Sequence, residues 1–388
     1  MVKSKDEVLE KWSKTDFVKA TQNIESKGWL LDVLMCVEKI KRPAFSLEER
    51  LLFFETNTQN TGLICKGVAM HKTGINSNRL WWILICGVFL TSCALGQVPD
   101  RSYRPVIAEP AYSQGEGPIV CLDEAHNNFH TLEGRFWAFG ELLRKDGYQV
   151  EASREKFSAS VLAACDILVI SNAQLDIEEW GDYPYPTPSA FSDDEINALQ
   201  TWVEDGGSLL LIADHMPLAG VASDLAAAFG VTFYNGFAVT GFKDFNQLDA
   251  AFDKPTIFSI KTNTLISSVI TQGRSSSETV TSVRSFTGQA FQAPESAQPV
   301  LVLPDDFVLL MPETAWEFSP DTKTISAGGW LQGAVLSFGN GRAAFFGEAA
   351  MFSAQRSAGE PVGMNAPGAE QNFQLVLNVM HWLSGILN

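Results

Sequence analysis

The chain reads as an α/β protein built on a mostly parallel, doubly wound sheet, and three observations predict it. From Gly117 onward, short apolar runs alternate with amphipathic segments. The runs are continuously apolar, as strands buried on both faces are. Glycines and capping signals punctuate the joins between the two kinds of segment.

Taken in order, Pro118 to Leu122 is the first strand, and Thr131 to Lys145 is a helix stopped by Gly147. Tyr148 to Glu151 is a second strand, Ser158 to Ala164 a short helix, and Asp166 to Ile170 the third strand. From Phe191 runs the clearest helix, opened by the capping box Ser192-x-x-Glu195 and closed by Gly206-Gly207. It feeds the strand Ser208 to Ala213, then a helix from Leu218 to Phe229 and a strand from Val231 to Tyr234. Residues 236–330 lose this rhythm and are rich in Ser, Thr, Phe and Pro, with β-like runs at Thr279 to Phe286 and Val300 to Val302. They read as a β-rich insertion. Two more strands, Ala334 to Phe338 and Ala343 to Phe346, flank Gly339-Asn340-Gly341, where the Asn-Gly pair signals a hairpin turn. An amphipathic helix from Ala369 to Leu387 closes the chain and faces the sheet through Phe373, Leu377, Met380 and Trp382.

Ahead of this domain lies an export signature. Met70, Lys72 and Arg79 form a short positive stretch, Leu80 to Leu90 an apolar run, and Leu90-Thr91-Ser92-Cys93 a lipoprotein processing tetrad. The apolar run, 80–90, is shorter than the roughly 20 residues a bilayer-spanning helix needs, so it reads as a cleaved signal peptide over 70–93. Lipidation of Cys93 supplies a membrane anchor, and Ala94 after it suits an outer-membrane address facing the periplasm. Residues 58–69 and 94–116 read as linkers.

Residues 1–57 are a small helical fragment, with Leu30, Val33, Leu34 and Val37 on one face and a capping box Ser46-x-x-Glu49. Gly28 to Leu34 and Lys41 to Glu49, with Lys14 to Phe17 before them, resemble the helix-turn-helix domain at the C-terminus of Dam-replacing (DpnI-like) restriction endonucleases. Only the first half of that domain is covered, and the basic helix and wing used on DNA are missing. A DNA-binding fragment joined to an export signal has little physical logic, so residues 1–69 read as an upstream remnant, with Met70 as the biological start.

Composition narrows the partners. Residues 94–388 hold 15 Lys and Arg against 35 Asp and Glu, whereas residues 1–56 hold 10 of each sign. An acidic surface repels phosphate backbones, so nucleic acid is excluded as a partner of the main domain. Only Cys121 and Cys165 follow Cys93. Placed at opposite ends of their strands, they read as two buried thiols.

Residues 117–388 resemble the type 1 glutamine amidotransferase-like superfamily, in particular a family of domains of unknown function in bacterial exported and membrane-anchored proteins. The resemblance rests on Asp123-x-x-His126-Asn127, on Phe191-Ser-Asp-Asp-Glu195 with Trp202-Val-x-x-Gly206-Gly207, on Gly339-x-Gly341-Arg342 with Gly347-Glu348, and on Asn378-x-x-x-Trp382-Leu383. It implies a flavodoxin/amidotransferase-like sheet. The amidotransferase nucleophile, a cysteine in a Gly-x-Cys-x-Gly turn, is missing, and Asp214-His215-Met216-Pro217 follows the fourth strand instead. The resemblance therefore implies a degenerate member that binds sugars or other ligands.

In open parallel sheets ligands sit beyond the carboxyl ends of the strands. Here those ends carry Asp123, His126, Asn127 and Asn128, then Asn172, then Asp214 and His215, then Glu348. His126, His215, Asp123 and Glu348 are the candidates for acid–base work or for holding a divalent metal such as zinc or manganese. The bland alternatives are helix capping by Asp123 and Asp214 and a backbone hydrogen bond from His126. The loop from Gln174 to Ala190 adds Trp180 and Tyr183, whose rings suit sugar faces. Asn127, Asn128, Asn172, Asp214, Trp180 and Tyr183 are the candidate ligand contacts. Arg342 is read as pairing with acidic surface, and His381 as a packed or surface residue of the last helix. The sequence thus predicts a lipid-anchored domain binding a carbohydrate or cell-envelope ligand, with a hydrolase as the alternative.

Overall fold

The computed structural model describes residues 97–252 and 254–388. The helix-turn-helix-like fragment, the signal peptide and Cys93 lie outside the described residues. The fold is a mixed α/β arrangement around one nine-stranded sheet. Numbering that sheet alone, its strands are β1 Ile119–Asp123, β2 Gln149–Ser153, β3 Ile167–Ser171, β4 Ser208–Ile212, β5 Thr232–Phe233, β6 Phe291–Gln292, β7 Gln298–Val302, β8 Leu331–Phe338 and β9 Gly341–Phe346. Their order is β2-β1-β3-β4-β9-β8-β6-β5, and β7 also pairs with β8.

Strands β2, β1, β3, β4 and β9 run parallel, and the remaining pairs are antiparallel. The sheet is therefore mixed, where the sequence predicts a mostly parallel one. The insertion is the reason. It lends β6 and β7 to the main sheet, and its other strands form a three-stranded sheet (Phe237–Thr240, Phe307–Met311, Lys323–Ser326) and a two-stranded one (Thr256–Ser259, Ser282–Ser285). Such pairings join segments far apart in sequence, so local pattern does not announce them.

Burial on both faces follows from the two-residue side-chain repeat. Val120, Leu122, Ile167, Val169, Leu210, Ile212 and Phe346 enter one core with helix α1, Trp137–Lys145, and the C-terminal helix Asn372–Leu383. Their neighbours Cys121, Leu168, Ile170, Leu209, Leu211 and Phe345 enter the other, against helix α2, Ala159–Leu162, and helix α3, Asp193–Glu204. A β-branched or leucine side chain is thus covered whichever way it points. Among the described residues no helix is long and apolar enough to cross a membrane.

Several elements depart from expectation. Thr131–Phe136 is a run of turns, so α1 begins only at Trp137. The expected helix over 218–229 divides into Leu218–Val221 and Ser223–Ala227. The hairpin between β8 and β9 turns on Gly339-Asn340, because Phe338 pairs with Gly341. Gly339 supplies the positive φ of +58°, and Gly341 lies in the strand, where a Cβ would fall 2.1 Å from the Val203 carbonyl oxygen.

Cys121 and Cys165 form a disulfide, with Cα atoms 5.8 Å apart. The expectation of two free thiols fails because β1 and β3 are paired neighbours, with Cys121 opposite Leu168, so Cys165 just before β3 lies near Cys121 and both side chains enter the same core. Residues 97–112, expected as part of a linker, lie along the domain. Val98–Pro99 pairs with Ala354–Ser357, and the Ala111 and Tyr112 amides donate to Asp146.

Candidate functional site

Four parallel strands deliver their carboxyl ends to one edge. The chain leaves β1 at Asp123, β3 at Ser171, β4 at Ile212 and β9 at Phe346, so the polar residues that follow share that edge.

The first cluster centres on His126, which is 3% exposed. Its Nδ1 lies 2.9 Å from the Asp123 carboxylate and its Nε2 2.9 Å from Glu195 Oε1. Two carboxylates facing both ring nitrogens call for an imidazolium, the only form with two N–H donors. Burial pulls its pKa down, but the hydrogen bonds and charges of Asp123 and Glu195 outweigh that and raise it. Phe157 and Phe191 flank the ring, each with its centroid 4.6 Å away. Glu195 also accepts from the Ser192 amide and hydroxyl and from the Phe157 amide. Burial works against its charge, yet Ser192 and His126 hold its pKa down at about 2. Asn128 completes the group, donating to Asp123 at 2.6 Å and accepting from the Ser171 amide. Asn127 is exposed, at φ +48°.

The second cluster joins the ends of β3, β4 and β9. Asn172, at φ +56°, donates to the Asp214 carboxylate and accepts from the Asp214 amide, both at 2.9 Å. The Ala349 amide donates to the other Asp214 oxygen at 2.8 Å. Glu348 is wholly buried and accepts from the Ala350 and Met351 amides at 2.7 and 2.9 Å. Burial lifts Asp214 to a pKa of about 7 against these donors, and burial with the Asp214 charge lifts Glu348 well above the carboxylate range. These shifts favour the protonated carboxyl at both sites, at Glu348 above all.

His215 makes a third group. Its Nδ1 donates to the Met216 carbonyl at 2.8 Å, which leaves Nε2 as the acceptor nitrogen. The ring stacks on Phe237 at 4.6 Å and meets the edges of Trp316 at 4.8 Å and Trp180 at 5.7 Å. Burial lowers its pKa to about 4, so it is neutral at physiological pH. Trp316 is 45% exposed, a large ring facing solvent at this edge.

The four candidates for chemistry thus divide between distinct hydrogen-bonded groups: Asp123 with His126, Glu348 with Asp214, and His215 among aromatic rings. Among the described residues, no set of three or more His, Cys, Asp or Glu side chains is disposed to hold a metal ion. Tyr183 is buried, and its hydroxyl bonds the backbone of Leu175. Trp180 opens a single 3-10 turn at the edge. Arg342 reaches the carbonyls of Trp382 and Leu387 instead of acidic surface. Sequence reasoning missed Glu195, Phe237 and Trp316. Glu195 was visible as a capping residue and as the end of the motif Phe191-Ser-Asp-Asp-Glu195 but not as a partner of His126, and the two aromatic residues come from the insertion, where no periodicity marks them.

Residues 25–61 match the family model described as the Dam-replacing HTH domain. No curated protein matches the chain. Among solved structures, the mmIFT52 N-terminal domain aligns at 13% identity and a TM-score of 0.47, over 68% of this chain and 97% of that one. Cytoplasmic protein STM3548 from Salmonella typhimurium aligns at 12% identity and a TM-score of 0.38, over 69% and 98%. A putative ThuA-like protein from Bacteroides uniformis aligns at 10% identity and a TM-score of 0.35, over 72% and 94%.

Proposed function

We propose that residues 94–388 form an exported, lipid-anchored binding domain, a degenerate amidotransferase-like unit that holds a carbohydrate or other cell-envelope ligand at the carboxyl edge of its sheet. The observation that carries the reading is the acceptor nitrogen of His215 set among the rings of Trp180 and Trp316, next in sequence to the half-buried Asp214. Flat rings with a few placed polar atoms suit the apolar faces and hydroxyls of a sugar. The parallel order β2-β1-β3-β4-β9 supports the flavodoxin-like reading, in which ligands meet the strand ends. The Cys121–Cys165 disulfide suits an oxidising compartment, in keeping with an anchor at Cys93 and a site in the periplasm. Excess acidic charge argues against nucleic acid at this domain.

The test is calorimetric titration of the full chain with chitin oligosaccharides and peptidoglycan fragments. Saturable binding that Trp316→Ala removes is expected. Absence of binding to every probe, or binding untouched by both Trp316→Ala and Trp180→Ala, would overturn the reading.

Asp214 favours a second reading. A carboxyl group that titrates near neutrality can give and take a proton, which a hydrolase requires. Release of reducing ends from the same oligosaccharides, abolished in Asp214→Asn, would favour it over simple binding.

A further inference from the structure

The His126 cluster touches no solvent-facing aromatic ring, yet its hydrogen bonds run to the edge where ligand is proposed to bind. From His126 the carbonyl accepts the Gln174 amide at 2.9 Å. Three residues on, the Phe129 amide donates to the carbonyl of Asn172 at 2.9 Å. Between them, Asn128 bridges the Asp123 carboxylate and the Ser171 amide. The loop over 126–129 therefore grips Ser171, Asn172 and Gln174 by three separate bonds, and Asn172 in turn grips Asp214 by two.

Both asparagines at the bends hold positive φ, Asn127 at +48° and Asn172 at +56°. Asparagine is one of the few residues with a side chain that adopts this backbone readily, so the two bends are built turns that the clamp holds in place. His126 ties this loop to α3, through Glu195, and joins Asn128 in tying it to β1, through Asp123.

We propose that His126 is the positioning residue of the carboxyl edge, holding Asn172 and Asp214 in the geometry a ligand meets. This role rests on the reading of that edge as a ligand site. The groups that face the imidazolium are Asp123 from β1 and Glu195 from α3, while Lys156, on the segment before α2, stands 3.9 Å from Glu195. The flanking Phe157 and Phe191 carry no charge.

Hydrogen-exchange mass spectrometry on the full chain tests the role without any ligand, so its outcome is independent of whether a sugar binds. In His126→Asn, the amides of Phe129, Ser171, Gln174 and Asp214 should exchange about tenfold faster or more, with the C-terminal helix unchanged. Glu195→Gln keeps an acceptor for Nε2 but removes one charge, and should loosen the same amides to a smaller extent. In the native chain the same loosening should appear as pH rises through the titration of His126, once intrinsic exchange is corrected. Faster exchange confined to residues 193–196, with Ser171, Gln174 and Asp214 as protected as before, overturns the proposal, because His126 would then serve only the cap of α3. Should His126→Asn lose protection throughout the domain, Glu195→Gln decides, and native protection at the edge in that variant also overturns it.

Discussion

The two ends of the parallel strands are built from the same kinds of residue and use them differently. At the amino ends the polar side chains bond chiefly to other pieces of the fold. His381 Nε2 meets Asp146 at 2.7 Å, Asp146 also accepts the Ala111 amide, Ser208 donates to the Leu383 carbonyl, and Arg342 donates to that of Leu387. These bonds fasten the strap and the end of the C-terminal helix to the sheet. At the carboxyl ends burial raises both Asp214 and Glu348, the Asp214 charge raises Glu348 further, and no positive charge contributes to the pKa of either. Two asparagines sit at positive φ there, and Trp316 stands in solvent. One end of the sheet is bonded into the fold, and the other holds two carboxyl groups pushed toward their protonated forms.

The sharpest break in that comparison should come from the amino end. His381→Ala leaves the wholly buried Asp146 carboxylate with the Ala111 amide alone, a loss of about 3 to 5 kcal/mol. Urea unfolding should show a lower midpoint with an unchanged slope, while exchange at Asn172 and Asp214 stays native until the domain unfolds. If the carboxyl edge loosened first, the two ends would not be independent.

Next in size is the disulfide, which closes a loop of 44 residues through α1, β2 and α2. Cys121→Ser with Cys165→Ser should cost about 4 kcal/mol if chain entropy governs the effect. Equal stability of the oxidised and reduced protein would remove the structural support for an oxidising compartment.

Local signals made much of the parallel half legible. The apolar runs became β1, β3 and β4 within a residue or two, and the box Ser192-x-x-Glu195 became the start of α3 with both of its reciprocal bonds. What escaped was non-local. The disulfide depends on the pairing of β1 with β3, and, although the run at Val300 to Val302 became β7, the places of β6 and β7 in the sheet depend on β8, which the chain reaches only later. In the same way, His126 was marked by its place after a strand, but its second carboxylate lies 69 residues away on another element. Tyr183 looked like a ligand-facing ring because a loop rich in proline and carboxylates resembles surface, and instead the ring fills the core.

Acid and base should separate the two carboxyl-edge clusters. Glu195 is depressed to about 2, so its contribution is present above the ordinary glutamate range and is lost as pH falls toward that value. His126 is raised, so its contribution is complete below the ordinary histidine range and fades as pH climbs through its folded value. Asp214, raised to about 7, binds a proton in the folded state that the unfolded chain releases near pH 4, so stability falls as pH rises between those points. Asp214→Asn should therefore be better tolerated at high pH, by about 1 to 2 kcal/mol between roughly pH 5 and pH 9. An equal effect at both would mean that burial does not raise Asp214 in the folded protein.

The smallest effect on stability should come from the residue that matters most to the proposed ligand. Trp316 holds φ +67°, a left-handed conformation costly for a bulky side chain, and nearly half its surface is open. Trp316→Gly relieves the backbone and loses the contacts with Phe237, Phe252 and His215, so the two changes oppose each other. The net shift in unfolding free energy should stay within about 1 kcal/mol. Binding of chitin oligosaccharides, by contrast, should vanish, because among the described residues no other solvent-facing ring meets His215 so closely. A variant that loses both stability and binding in proportion would place Trp316 with the parts of the molecule that serve the fold, and the contrast between the two ends of the sheet would then rest on Asp214, Glu348 and the two asparagines.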